Sequence, residues 1–372
     1  MKLAWRNLSH DRLRFAVTIA GIAFATFLMI FQGSLLAGFI RASSRVIQAS
    51  DADIWITPRG TSCFEFVSTM PLRFRELAMG VDGVSDVKRI VTGFANWQKS
   101  SGARLTVLII SADSDISPRF PQPRLNASSS ATTPKAVLID KSNLQTLGIE
   151  HLPTEVEIND QYATVPDSTN DFGSFMGSPY VFTSYNERSR YISLSSDLAT
   201  YLLVRVKDGQ DVQTIKHKLA ARLPEVDVWT RDEFAARSAE YWVAQTGAGG
   251  ALLTAAVLGF IVGLVVVSQT IYATTMEHIE EFATFKALGA SRWFIWKIVL
   301  VQALTSGVLG ALIGIALTFP VMRLTQANIS WVYTPWQLPM VMVLVSLIMC
   351  ALAAVVSIRK AVSIEPGRVF RA

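Results

Sequence analysis

Charge is what this sequence has least of. Only 17% of its 372 residues are charged, 51% are hydrophobic, and the mean hydropathy is +0.35. Soluble domains carry roughly 25% charged residues, so an ordinary soluble chain is excluded and membrane spans are expected. Cysteine is nearly absent. Cys63 lies in a stretch of mixed composition and Cys350 in an apolar run, so no intramolecular disulfide is expected. Cys63 reads as a small buried side chain, with an intermolecular bond as the minority alternative. The four histidines, His10, His151, His217 and His278, are scattered, and no His-Glu-x-x-His occurs. No metal site is therefore expected. The sequence also lacks a Gly-x-x-x-x-Gly-Lys-Ser/Thr phosphate loop and a Gly-x-Ser-x-Gly nucleophile turn. It is read as non-catalytic, with no cofactor. Asp51, Asp53, Asp113 and Asp115 are read as solvated loop charges rather than paired catalysts.

The net charge is +5. Residues 1–14 carry four Lys/Arg against one Asp, 273–297 three against three, and 357–372 four against one. The basic excess thus sits beside apolar runs, as orientation signals do. It does not form a nucleic-acid patch.

Taken in order, 1–14 is a short basic segment and 15–40 an uncharged apolar run. About 20 residues cross the hydrocarbon, and a signal-peptide core has about 7–15, so 15–40 is expected to be a retained first span. Arg12 and Arg14 argue for a cytoplasmic N-terminus; Arg41 and Arg45 argue weakly the other way. Residues 41–247 change composition and are expected to form an α+β domain on the far side. Strand patterns occur at 53–57, 87–91, 105–110, 136–139, 155–158 and 201–206. Val212, Ile215, Leu219 and Leu223 mark one helix face, which makes 202–230 a β-α-β unit. Residues 121–133 and 164–179 read as loops.

Three further spans are expected at 248–276, 298–322 and 338–358, with an outer loop at 323–337 and a cytoplasmic tail at 359–372. Gly259 with Gly263, and Gly310 with Gly314, are small-xxx-small pairs that let another helix approach closely. Trp331, Tyr333 and Trp336 suit a membrane interface. The spans contain no ionisable relay, which disfavours an ion-coupled carrier.

Residues 277–297 separate the second and third spans. Glu277, Glu280, Glu281 and Thr284 share one helical face, and Ile279, Phe282, Phe285 and Leu288 fall on the other. Gly289 can stop that helix and Ser291 can cap the next. By pattern alone, a hairpin loop that only connects two spans is an equal reading.

The run Glu281-Phe-Ala-Thr-Phe-Lys-Ala-Leu-Gly-Ala-Ser-Arg292 resembles the Glu-Ile-Gly-x-x-Lys/Arg-Ala-Leu-Gly-Ala-Ser/Thr signature of the FtsX/MacB-type ABC permeases. Glu281, Lys286, Ala287, Leu288, Gly289, Ala290 and Ser291 match. Phe282, Ala283, His278 and Glu280 depart from it in the manner of the DevC-like exporter permeases. The resemblance implies a coupling segment, built from these residues with Glu277, Thr284, Phe285 and Arg292, that docks on a separate ATPase chain. It implies a homodimer in the bacterial inner membrane, both termini cytoplasmic and the large domain periplasmic. It further implies mechanotransmission, with a membrane-fusion adaptor and an outer-membrane duct for export of a lipid or other amphiphile. Lipoprotein release is the nearest variant. An FtsX-like signalling permease that regulates a cell-wall hydrolase is the alternative. A binding module with no ATPase ranks last, because it leaves the coupling signature unexplained.

Overall fold

The structure, a computed structural model, describes residues 12–114, 116–117, 119–123, 134–277, 284, 291–329 and 331–362. Its longer helices are α1 (Arg12–Gln48), α2 (Arg73–Met79), α3 (Val212–Arg222), α4 (Arg231–Glu240), α5 (Ala248–Glu277), α6 (Arg292–Asn328) and α7 (Gln337–Val362). Its strands are β1 (Ile54–Pro58), β2 (Met70–Pro71), β3 (Val84–Gln98), β4 (Arg104–Ala112), β5 (Val137–Asp140), β6 (Thr154–Ile158), β7 (Gln161–Val165), β8 (Ser168–Thr169), β9 (Tyr180–Ser184), β10 (Leu198–Ala199), β11 (Tyr201–Val206) and β12 (Val226–Thr230). The chain forms two compact units. A helical unit takes Met1–Ala37, Gly250–Thr325 and Val332–Ala372; a sheet unit takes Gly38–Gly249 and Gln326–Trp331.

In the helical unit, α1, α5, α6 and α7 are long and apolar enough to cross a membrane. Their composition leaves little choice. In hydrocarbon every backbone group must be satisfied within the segment, and a helix does this. Hydroxyls in these helices turn back on their own turns: Thr270 donates to the carbonyl of Val266, and Thr305 to that of Val301. Others reach across: Thr26 of α1 and Ser346 of α7 share a hydroxyl hydrogen bond, and Thr334, in the link between α6 and α7, donates to the Ser34 oxygen of α1 at 2.9 Å. Ile22, Ala25, Val267, Val299, Ala303, Met349 and Ala353 form the buried centre.

The sheet unit is built on β3, fifteen residues long. The main sheet runs β12-β1-β11-β3-β4-β9-β5-β8, with β6 and β7 branching from β3. Residues 84–90 of β3 pair with β11, and residues 90–98 pair with β4. One strand therefore serves two lobes. Phe74 and Ala78 of α2 and Ile215 and Leu219 of α3 join Ile54, Val87 and Val204 in the core of the first. Val91, Trp97, Val107, Ile139 and Val181 fill the second. A third cluster holds Trp55, Phe64, Tyr180, Phe182, Tyr201 and Phe234.

The expected β-α-β over 202–230 is present in split form. β11 and β12 do not touch; both pair antiparallel with β1, which lies between them. α3 begins where Asp211 accepts a hydrogen bond from the Thr214 amide, and α4 where Thr230 and Glu233 form a capping box. A long apolar helix, an α+β unit and three further long apolar helices follow one another along the chain, which is the fold class expected from the sequence.

Candidate functional site

The small-residue pairs lie against α1. A Cβ at Gly263 would fall 2.5 Å from Cβ of Ala25, and one at Gly259 2.9 Å from Leu28. A Cβ at Gly310 would meet Ile22 at 2.6 Å, and one at Gly314 the Ala23 carbonyl oxygen at 2.6 Å. At Gly263, Gly310 and Gly314 the obstacle is a Cβ or a backbone atom, so a side chain there would force the helices apart; at Gly259 it is the movable end of Leu28. α5 and α6 thus approach the same helix from two directions, each through its own Gly-x-x-x-Gly.

Between α5 and α6 the described residues are few. Glu277 is the last residue of α5, and Thr284 is helical. Ser291 caps α6: its hydroxyl accepts from the Phe294 amide at 3.3 Å, three residues on. The backbone of α6 starts at Arg292. His278, Glu280, Glu281, Phe282, Phe285, Lys286, Ala287, Leu288, Gly289 and Ala290 lie outside the described residues.

The sheet unit holds a buried acid that the sequence reading passed over. Glu65 is 2% exposed. Its Oε1 accepts from the Tyr180 hydroxyl at 2.9 Å and its Oε2 from the Trp242 indole N–H at 2.8 Å. Burial pushes its pKa up, and these hydrogen bonds only partly oppose that. Next door, burial and then the charge of Glu65 push the Cys63 thiol up to about 12. Cys63 is a free, buried thiol, as read from the sequence. The segment around Glu65 is a knot. The Phe64 carbonyl accepts from the Tyr201 hydroxyl at 2.8 Å, and Ser238 of α4 donates to the Ser43 carbonyl of α1 at 2.8 Å. Phe66 meets Tyr241 edge-on at 4.9 Å, and Phe175 meets Trp242 at 5.0 Å. Tyr241 and Trp242 open the π-helical turn Tyr241–Gln245 just ahead of α5. The last turns of α1 and the lead into α5 are thus held by one segment. The signal available in the sequence was an acid set between Phe64 and Phe66.

Two aspartates also depart from the solvated reading. Asp113 takes a two-pronged ion pair from Arg89, at 2.8 and 2.9 Å, and accepts the Arg89 amide as well. Asp53 accepts the Val206 amide at 2.8 Å. Asp51 does face water and pairs loosely with Arg205 at 3.7 Å. Asp115 lies outside the described residues. Among the described residues no cluster of His, Cys, Asp and Glu could hold a metal ion.

Comparison with known proteins agrees with this layout. The model of the MacB-like periplasmic core domain matches residues 15–222, more than half of the chain. The model of the FtsX-like permease C-terminal region matches residues 253–366. The chain belongs to the MacB/FtsX-type permease family. Two uncharacterized ABC transporter permeases of Mycobacterium tuberculosis, from strains CDC 1551 and H37Rv, are each 25% identical over 115 residues. That stretch is 31% of this chain and 32% of theirs, so the chain spans about a third of the curated relatives it matches. Among solved structures, the periplasmic region of MacB from Actinobacillus actinomycetemcomitans is 11% identical, over 50% of this chain and 92% of that one, with a TM-score of 0.37. The extracellular domain of YknZ from Gram-positive bacteria is 11% identical, over 48% and 98%, with a TM-score of 0.35. Scores this low add nothing to the family match. As a MacB/FtsX-type permease the chain is a multi-pass membrane protein.

Proposed function

We propose that this chain is the permease subunit of an ABC export complex of the bacterial inner membrane. A separate ATPase chain docks on residues 277–292, and its ATP-driven closure moves the sheet unit. The observation that carries this reading is the charged stretch, matching the family signature from Glu281 to Ser291, set between two membrane-length helices. The knot around Glu65 supports it. It ties both chain segments that enter the sheet unit to one core, so motion of the helices has a rigid body to act on.

In this reading the segment that carries Glu281 and Phe285 meets the ATPase, and Gly289 stops the docking helix. The chain works as a homodimer with both termini in the cytoplasm and the sheet unit outside. The DevC-like departures at Phe282 and Ala283 favour a lipid or other amphiphile as cargo, with a membrane-fusion adaptor and an outer-membrane duct.

The test is a complex purified with its co-expressed ATPase, at equal membrane abundance of normal chain and Gly289→Val. A β-branched side chain fits a left-handed helix stop poorly, at a cost of about 1–3 kcal/mol. Loss of ATPase capture and of transport-linked ATP turnover is expected. If both persist, residues 277–292 are not the dock. If capture persists with no transport but a cell-wall hydrolase copurifies, the signalling alternative holds.

A further inference from the structure

Six aromatic rings of the sheet unit touch one another in an unbroken row. Between ring centroids, Trp331 lies 6.2 Å from Phe39, Phe39 5.0 Å from Phe175, and Phe175 5.0 Å from Trp242. Trp242 lies 5.5 Å from Tyr241, and Tyr241 4.9 Å from Phe66. The row joins three places where the chain passes between a membrane-length helix and the sheet unit. Phe39 is in α1, Tyr241 and Trp242 precede α5, and Trp331 is in the link between α6 and α7.

The sequence sets the level of this row. The uncharged run from Phe15 ends at Ile40, one residue past Phe39. At about 1.5 Å per residue, Phe15 to Phe39 is about 36 Å, against roughly 30 Å of hydrocarbon and about 40–45 Å with the headgroups. Phe39 therefore lies at the headgroup layer, where aromatic side chains anchor membrane proteins.

Contacts within the sheet unit carry that level to residue 66. Ser238 donates to the Ser43 carbonyl at 2.8 Å. Trp242 is four residues beyond Ser238, Phe39 is four residues before Ser43, and both touch Phe175. The two segments thus run antiparallel. The Ser238 oxygen also accepts the Phe64 amide at 3.4 Å, whereas Phe66 packs on Tyr241. From Phe64 to Phe66 the chain therefore moves from the level of Ser43 toward that of Phe39, which is toward the membrane. It arrives with apolar side chains bare: Phe66 is 41% exposed and Val67 39%. Ser68 and Thr69 are exposed as well, and the chain turns back at Met70, which is buried in β2. Adjacent exposed apolar residues at headgroup level match a lipid surface.

We infer that the loop 66–69 is a foot that dips into the lipid leaflet on the sheet unit's side, with Phe66 and Val67 in the upper acyl chains. The inference rests on the membrane spans and is independent of the ATPase reading. It gives the sheet unit a lipid support besides its covalent links.

The test uses the full chain in nanodiscs with Val67→Cys; Cys63 and Cys350 are buried and stay in place. The thiol is first offered a charged maleimide, with Tyr162→Cys, at a position 71% exposed, as the water-facing reference. Val67→Cys should react at least about tenfold more slowly, because a charged reagent is excluded from hydrocarbon. A neutral fluorophore is then attached in detergent, and discs are formed with phosphatidylcholine bearing a nitroxide near the top of one acyl chain. Emission should fall by about half or more, and iodide in the water should leave it nearly unchanged. Ser68→Cys, in the same loop, repeats both readings, so one poorly folded variant does not decide the outcome. Fast reaction with the charged reagent, or emission that iodide quenches, overturns the foot. Slow reaction with neither quencher effective would mean that protein, such as a second copy of this chain, covers the loop, and overturns it as well.

Discussion

Trp242 donates its indole N–H to Glu65 across 2.8 Å, joining residues 177 positions apart in the chain. The carboxyl also takes the Tyr180 hydroxyl, so each oxygen of this buried group has a donor. A buried acid with two donors and, among the described residues, no ion-pair partner is poised between two costs. Ionised, it lacks water; removed, it strands its partners.

Glu65 should make stability fall as pH rises. Its folded pKa lies above the unfolded value, so the folded state binds more protons and the slope of stability with pH is negative. The contribution is whole below the ordinary carboxylate pKa and is lost as pH climbs through the raised one. Glu65→Gln should flatten this dependence in thermal unfolding of the detergent-solubilised chain. Glu65→Leu should cost about 1–3 kcal/mol at every pH, because the Tyr180 hydroxyl and the Trp242 N–H lose their acceptor. A pH slope that survives in Glu65→Gln would mean that another group sets it.

Gly310→Leu should lower the melting temperature of the solubilised chain, at a cost of about 1–3 kcal/mol or more. The first added carbon already lies 2.6 Å from Ile22 and 3.2 Å from the Ile19 carbonyl oxygen, and a backbone cannot rotate away. Gly250→Ala is the control. Nothing lies within 4 Å of its added carbon, so no loss is expected. Equal melting temperatures for all three chains would remove close packing on α1 as the reason for glycine.

Thr230→Ala should cost about 1 kcal/mol, and Thr230→Ser much less. The Thr230 hydroxyl accepts the Glu233 amide, and the Glu233 carboxylate returns to the Thr230 amide at 2.8 Å. Hydrogen exchange should show faster opening of the first turn of α4 in the alanine variant only. Unchanged exchange there would show that packing of Phe234 alone holds the turn.

Tyr162→Cys should react with an impermeant thiol reagent in intact spheroplasts, if the sheet unit is outside. Tyr162 is 71% exposed, whereas Cys63 and Cys350 are buried and give little background. Labelling only after lysis would reverse the proposed orientation.

The apolar helices were legible because a run such as Ala251 to Val267 has one physical solution in hydrocarbon. Short strands with alternating or β-branched residues, such as 201–206, were legible for the same local reason. β3 was read only at 87–91, because Gly93 and Asn96 break its strand pattern while pairing with β4 carries it through. Glu65 was not legible. Its burial is decided by Tyr180 and Trp242, 115 and 177 residues away, and no local pattern encodes such partners. The glycine pairs announced a close approach but could not name α1 as the helix approached. Arg41 and Arg45 were read as orientation signals alone, since Asp171 and Phe172 join them only in the folded unit.

The place of β1 between β11 and β12 sets a timetable for biogenesis. β1 is complete at Pro58, yet its ladder partners begin at Tyr201 and end at Thr230. At synthesis rates of about 5–20 residues per second, the strand waits on the order of ten seconds with both edges open. During that interval Ile54, Trp55 and Ile56 are an unpaired apolar strand, the kind that recruits a wrong neighbour. The sheet can close around them only after nearly the whole unit has left the ribosome. A chain stalled or cleaved before residue 201 therefore carries a permanently open β1, which makes such fragments natural substrates for a holding chaperone or a protease.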